Sequence, residues 1–213
     1  MRRPLIGIVA FILGGTTAAA LSLGNGPSAR PVSPPVQRAA TPAGRVMVSA
    51  VSSRQALAEG AILRPVSSIL SVPGRMQYGD YRWDDRDVPA GATWVRVDLD
   101  AQIISVFRGG QEIGTAVILH GADGLPTPAG IFPVLAKLKD HRSQTYDAPM
   151  PFTLRLTADG VSIHGSNVRW GYATHGCVGV PAAFAARLFD AVSVGDRVLV
   201  VGGGKSKRAR AEA

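Results

Sequence analysis

The sequence predicts a mainly β fold: a sandwich or partly closed barrel of short strands, with one clear helix near the C-terminal end. Three observations predict it. Glycine and proline, 25 and 15 of 213 residues, cut the chain into short pieces. Apolar residues make up 46% of the chain, enough to fill a core. From Thr93 onward, segments alternating polar and apolar side chains recur between turn signals, the period of a half-buried strand.

The elements follow in chain order. Met1-Arg2-Arg3 precedes an apolar run, Pro4 to Leu23, with small residues at Ala18, Ala19 and Ala20. Residues 1–23 therefore read as a secretory signal peptide, with Ala20-Leu21-Ser22 as its cleavage site, or as an N-terminal membrane anchor. Either reading expects the remainder to lie outside the cytoplasm, in the periplasm. Residues 24–45 are proline-rich and polar, the composition of an extended linker. Residues 46–91 form an N-terminal extension, with a short helix expected over Ser53–Leu63 and broken by Pro65.

The main domain is expected over 92–201. Thr93–Leu99 and Ile103–Arg108 read as strands, followed by a Gly109-Gly110 turn. Gly114–Leu119, Gly130–Leu135 and Phe152–Leu156 continue the pattern. Asp159-Gly160 is a hairpin signal leading into Val161–His164, and Val194–Val201 is a final apolar strand. The helix has Pro181 at its first position and an apolar stripe of Phe184, Ala185, Leu188 and Val192. Residues 202–213 read as a basic disordered tail.

Formal net charge is +8, with Arg2 and Arg3 at one end and Lys205, Lys207, Arg208 and Arg210 at the other. Such charge suits an anionic surface or plain solubility. No aromatic residues interleave with the basic ones on one face, so nucleic acid is not an expected partner.

Cys177 is the only cysteine, in the run Thr174-His175-Gly176-Cys177. An unpaired thiol beside histidines in a chain that reads as exported is a candidate nucleophile. It needs a base or a local positive field to attack a carbonyl. His175, two residues away, would share its side in an extended segment, and His164 could approach from an adjacent strand. Gly165 allows a sharp turn, and its carbonyl can fix the His164 tautomer. Gly176 leaves the amides of Gly176 and Cys177 approachable by an oxyanion. A helix starting near Pro181 would favour the thiolate. A rival reading makes His164, His175 and Cys177, with His120 or His141, a zinc site. Their spacings match no common zinc pattern, so no metal or cofactor is expected.

Ile163-His164-Gly165-Ser166 followed by Thr174-His175-Gly176-Cys177-Val178 resembles the signature of the L,D-transpeptidase (YkuD-like) catalytic domain family. Gly121 with Pro126-Thr127-Pro128-Ala129-Gly130, Ala148–Phe152 and Val194–Val198 are similar to further family elements. The resemblance implies a YkuD-like β-sandwich that acts on peptidoglycan tetrapeptide stems. It implies Cys177 as nucleophile, His164 as general base held by the Gly165 carbonyl, and His175 as an auxiliary residue shaping the cysteine turn. The product would be a 3–3 crosslink or an exchanged terminal D-alanine. The alternative on the same fold is a noncatalytic peptidoglycan-binding protein or an L,D-carboxypeptidase. The family usually carries arginine two residues after the cysteine, where this chain has Gly179, and Arg169 is the expected substitute. Trp170, Tyr172, Arg169, Ser166 and Met150 are the expected substrate contacts.

Overall fold

Alternating valines and isoleucines build two sheets in this chain. The structure, a computed structural model, describes residues 44–122 and 124–203. The segments read as signal or anchor, most of the linker and most of the basic tail lie outside the described residues.

Residues before the family-like region contribute β1 (Arg45–Met47), α1 (Ala50–Ala58), β2 (Ser68–Leu70) and β3 (Tyr81–Trp83). Next come β4 (Thr93–Asp98), β5 (Ile103–Arg108), β6 (Gln111–Val117) and β7 (Gly130–Pro133). Then follow β8 (Ala136–Arg142), β9 (Pro149–Arg155), β10 (Ser162–Ser166) and β11 (Val178–Pro181). The chain closes with α2 (Ala182–Ala191) and β12 (Arg197–Val201).

The larger sheet has the order β1-β2-β6-β5-β4-β12-β7, with β3 also paired to β6; the smaller is β11-β10-β9-β8. The fold is mainly β. Its core lies between the sheets: Val95, Val97, Ile104, Val106, Val198 and Val200 from one, and Leu154, Ile163, Val178 and Val180 from the other. The apolar stripe of α2 closes one side through Phe184, Ala185 and Leu188, each buried. Burying a side chain of that size contributes about 1.5–3 kcal/mol. Phe184 meets Trp83 edge-on, with ring centroids 5.5 Å apart. Gly114 makes room for that contact, since a Cβ there would stand 2.4 Å from the Trp83 ring.

Several boundaries differ from the expectation. The first helix runs Ala50–Ala58 rather than Ser53–Leu63, because the Ser49 hydroxyl accepts the Ser52 N–H at 3.0 Å and caps it earlier. Gly60, at φ +69°, stands just past its end. Pro181 is the N-cap of α2 and the last residue of β11, not the first helical residue. The final strand starts at Arg197, while Val194 is exposed before the turn at Gly195. Strand β8 was not expected. Its sequence, Ala-Lys-Leu-Lys-Asp-His-Arg, edges the smaller sheet and has no fully buried face to print an apolar period.

Candidate active site

Strand pairing sets the site. β10 and β11 run parallel, with Ile163 opposite Val178 and His164 opposite Gly179. Cys177 immediately precedes β11, so it lies level with Ser162, the residue two before His164 on the neighbouring strand. Residues i and i+2 of a strand share a face, so the two candidate groups belong to one side of this strand pair.

His164 is half-buried, and its Nδ1 stands 3.0 Å from the Gly165 carbonyl. A carbonyl only accepts, so Nδ1 carries the proton and Nε2 is left with a lone pair. Burial pushes the His164 pKa below the ordinary histidine value. The Gly165 carbonyl opposes that shift, and the charge of His141 adds to it. Gly165 serves close packing rather than a turn. It sits within β10, and a Cβ there would come 3.0 Å from Pro151 and 3.4 Å from the Ala182 Cα.

Cys177 is partly buried, and its thiol donates to the Gly160 carbonyl at 3.8 Å. Burial pushes the Cys177 thiol above its usual pKa, with the Ser162 N–H pulling weakly the other way. This corrects the expectation of a helix-stabilised thiolate. All of β11 lies between Cys177 and α2, roughly 13 Å of strand, whereas a helix field fades within its first turn. The resting pair is therefore a neutral thiol and a neutral imidazole.

The turn before the cysteine is held from several directions. Gly176 has φ +105° and is buried, a conformation that suits glycine alone. The Cys177 carbonyl accepts from the hydroxyls of Thr174, at 2.5 Å, and Thr127, at 3.3 Å. Thr127 Oγ1 also accepts the Gly121 N–H at 2.9 Å. Residues 119–122 brace both flanks: Leu119 exchanges backbone hydrogen bonds with Gly179 (2.8 and 2.9 Å), and Ala122 donates to the Thr174 carbonyl (3.1 Å). Thr127 and Thr174 belong to the motif segments, and those positions are the only sequence signal for their role.

His175 does not neighbour the thiol as an extended segment would place it. The positive φ of Gly176 breaks that geometry, and the exposed His175 ring stacks on Tyr146 with centroids 4.1 Å apart. Nothing in the sequence singled out Tyr146, which lies in the β8–β9 turn. Ser166 ends β10 beside Gly179. Arg169 is exposed and donates to Asn167 Oδ1 at 3.0 Å. Tyr172 and Trp170 are 62% and 81% exposed, so neither packs its loop. Met150 is buried within β9, where it offers little to a ligand. The space at Gly179 is closed: a Cβ would meet Ser166 Cβ at 3.0 Å and Leu119 Cβ at 3.5 Å.

Fold and site together define a two-sheet β protein that carries a base-configured imidazole on one strand and a thiol at the start of the parallel strand beside it. The sequence model described as the L,D-transpeptidase catalytic domain (YkuD) matches residues 92–200, and the chain belongs to that family. L,D-transpeptidase 1 of Mycobacterium tuberculosis (strain H37Rv) is 32% identical over 123 residues, 49% of this chain and 48% of that protein. The chain thus spans about half the length of the curated relatives it matches. Similar solved structures include an L,D-transpeptidase from Stackebrandtia nassauensis, with TM-score 0.49 and 25% identity over 52% of this chain and 56% of that one. Another is from Mycobacterium smegmatis, with TM-score 0.48 and 27% identity over 52% and 58%.

Proposed function

We propose that the chain is a peptidoglycan L,D-transpeptidase that works through a Cys177 acyl-enzyme outside the cytoplasm. The observation that carries this reading is the Nδ1 contact of His164 with the Gly165 carbonyl, on the strand paired to β11. It leaves Nε2 as the proton acceptor on the strand next to the thiol.

The reaction begins from the neutral pair. As Cys177 Sγ attacks the carbonyl of the third stem residue, a diamino acid, His164 Nε2 takes the thiol proton. The carbonyl oxygen becomes an oxyanion, and the backbone amides of Gly176 and Cys177 are its proposed donors. Collapse breaks the bond to the terminal D-alanine, whose amine leaves with the proton from His164. A thioester remains on Cys177. The amine of a second stem then attacks that thioester and gives its proton to His164, which returns it to the departing thiol. The result is a 3–3 crosslink, or an exchanged terminus when a free D-amino acid supplies the amine. The Thr127 and Thr174 hydroxyls hold the Cys177 peptide, and so orient the thiol through its own backbone. The N-terminal segment, as signal or anchor, puts the reaction in the periplasm.

Incubation of the full chain with disaccharide-tetrapeptide muropeptides tests this reading, with products resolved by mass spectrometry. Crosslinked dimers with loss of one D-alanine are expected. Tripeptides alone would reassign the chain as an L,D-carboxypeptidase, and unchanged substrate would leave a binding protein.

A further inference from the structure

At the end of the larger sheet where β4 and β12 begin, an open cleft of about 420 Å³ lies on the outer face. Val95 and Val97 of β4 and Val198 and Val200 of β12 join the core, so Trp94 and its register partner Arg197 face outward together. Both line the cleft, with Arg64, Thr93 and Asp196. Neither Cys177 nor His164 belongs to it. Trp94 is level with Phe107 on β5, and Phe107 with Glu112 on β6. Leu119, which pairs with Gly179 beside the cysteine turn, lies further along that chain by an extended run of roughly 24 Å. The cleft is therefore remote from the candidate active site. Arg64 precedes residue 92, so part of this lining lies outside the family-matched region.

The walls are fixed without a ligand. Ile62 and Leu63 pack on the buried cluster of Val66, Trp94 and Phe107, and the Val66 N–H donates to Ser53 Oγ at 2.8 Å. The Arg96 guanidinium donates to the Ala61 carbonyl at 2.8 Å, which ties the same segment to β4. At β12, the Ser193 N–H donates to Asp196 Oδ2 at 2.8 Å. Val134 donates to the Asp196 carbonyl and accepts the Gly195 N–H, each at 2.9 Å. Walls fixed beforehand spare a ligand the ordering entropy of making them.

Two features of the lining select a ligand class. The Trp94 indole is 1% exposed and stacks on Phe107 with centroids 4.4 Å apart. Its Nε1 is the one buried side-chain polar atom among the described residues without a hydrogen-bond partner. Buried donors are nearly always met by an acceptor. The second feature is charge. Arg64 and Arg197 enter no ion pair among the described residues, whereas four other arginines do. A guanidinium presents its donors as a planar fork that matches the paired oxygens of an anion. Asp196 is the only carboxylate in the lining, so two cations against one anion leave a single net positive charge. A polyphosphate or nucleic acid would want more cations. We propose that this cleft binds a small organic oxyanion of one negative charge, a carboxylate or a phosphodiester. Arg64 and Arg197 hold its oxygens, and the Trp94 N–H donates to one of them. Leu63 and Ile131 leave apolar surface for its substituent.

Titration of the full chain with sodium acetate and, separately, with sodium dimethyl phosphate tests the proposal. Tryptophan indole N–H resonances are followed at an ionic strength held constant with sodium chloride. The Trp94 resonance, identified by its loss in Trp94→Phe, should move downfield and saturate below about 50 mM with at least one of the two anions. The tighter-binding anion names the source. Arg64→Gln and Arg197→Gln should each weaken binding about tenfold with little change in melting temperature, since both side chains are exposed. Trp94→Phe keeps an aromatic ring beside Phe107 and should bind severalfold more weakly by ligand-observed resonance. No saturable shift with either anion would overturn the proposal and leave the indole to water. Unchanged binding by the Arg64→Gln/Arg197→Gln double variant would also overturn it, as would the same shift produced by sodium chloride alone.

Discussion

A thiol raised by burial and an imidazole lowered by burial divide the work differently from a preformed ion pair. At neutral pH both groups of the Cys177–His164 pair are uncharged, so the base must take the proton during attack. The acid limb of the rate therefore belongs below the ordinary histidine value of about 6.5. A limb centred at or above pH 7 in the pH dependence of kcat/KM would contradict this. Stability carries the same signature. The unfolded chain protonates His164 near pH 6.5 while the folded chain resists, so stability falls as pH drops below that point. Thermal melts between pH 7.5 and 5 should show this loss, and His164→Gln should flatten that part of it; an equal slope in both proteins would refute the burial account. On the alkaline side, the unfolded thiol ionises first, so Cys177 lowers stability above about pH 8.5.

At the scale of the element, the pairing of β11 with Leu119 leaves no room at Gly179. Restoring the family's usual residue by Gly179→Arg should lower the melting temperature, with an overpacking cost of about 1–3 kcal/mol. A variant that melts like the parent and turns over faster would show that the gap can open. This closure was invisible in the sequence, which showed only that an arginine was missing. Strands with one buried face were legible: β4 is expected at Thr93–Leu99 because Val95, Val97 and Leu99 alternate with Arg96 and Asp98. β8 was not, because an edge strand of lysine, aspartate, histidine and arginine prints none. The same contrast holds in the site. His164, Gly165 and Cys177 were legible as a motif, and the tautomer-fixing carbonyl lies where local chain geometry expects it. The orientation of His175 was not, because one positive φ at Gly176 redirects it to Tyr146, 29 residues upstream. The thiol pKa was misread for a similar reason, since β11, which separates Cys177 from α2, was not anticipated.

For the whole molecule, the residues before position 92 are part of the sheet. Arg45, buried at the start of β1, donates to the carbonyls of Glu112 and Asp84, and so ties the first strand to β6 and to the chain after β3. Arg45→Ala would leave buried carbonyls without a donor, a loss of about 2–3 kcal/mol. The melting temperature should fall by about 5 °C or more, and a shift under about 1 °C would mean that β1 is dispensable to the fold. The segment between β2 and β3 also underlies the loop between the two catalytic candidates, where Met76 and Tyr78 pack against the cluster that holds Val168. The account as a whole depends on covalent chemistry at the single thiol of the chain. Intact-mass measurement after exposure to a carbapenem tests that most directly. The full chain should gain one acyl adduct and Cys177→Ala none; an adduct of the same mass on the alanine variant would contradict it.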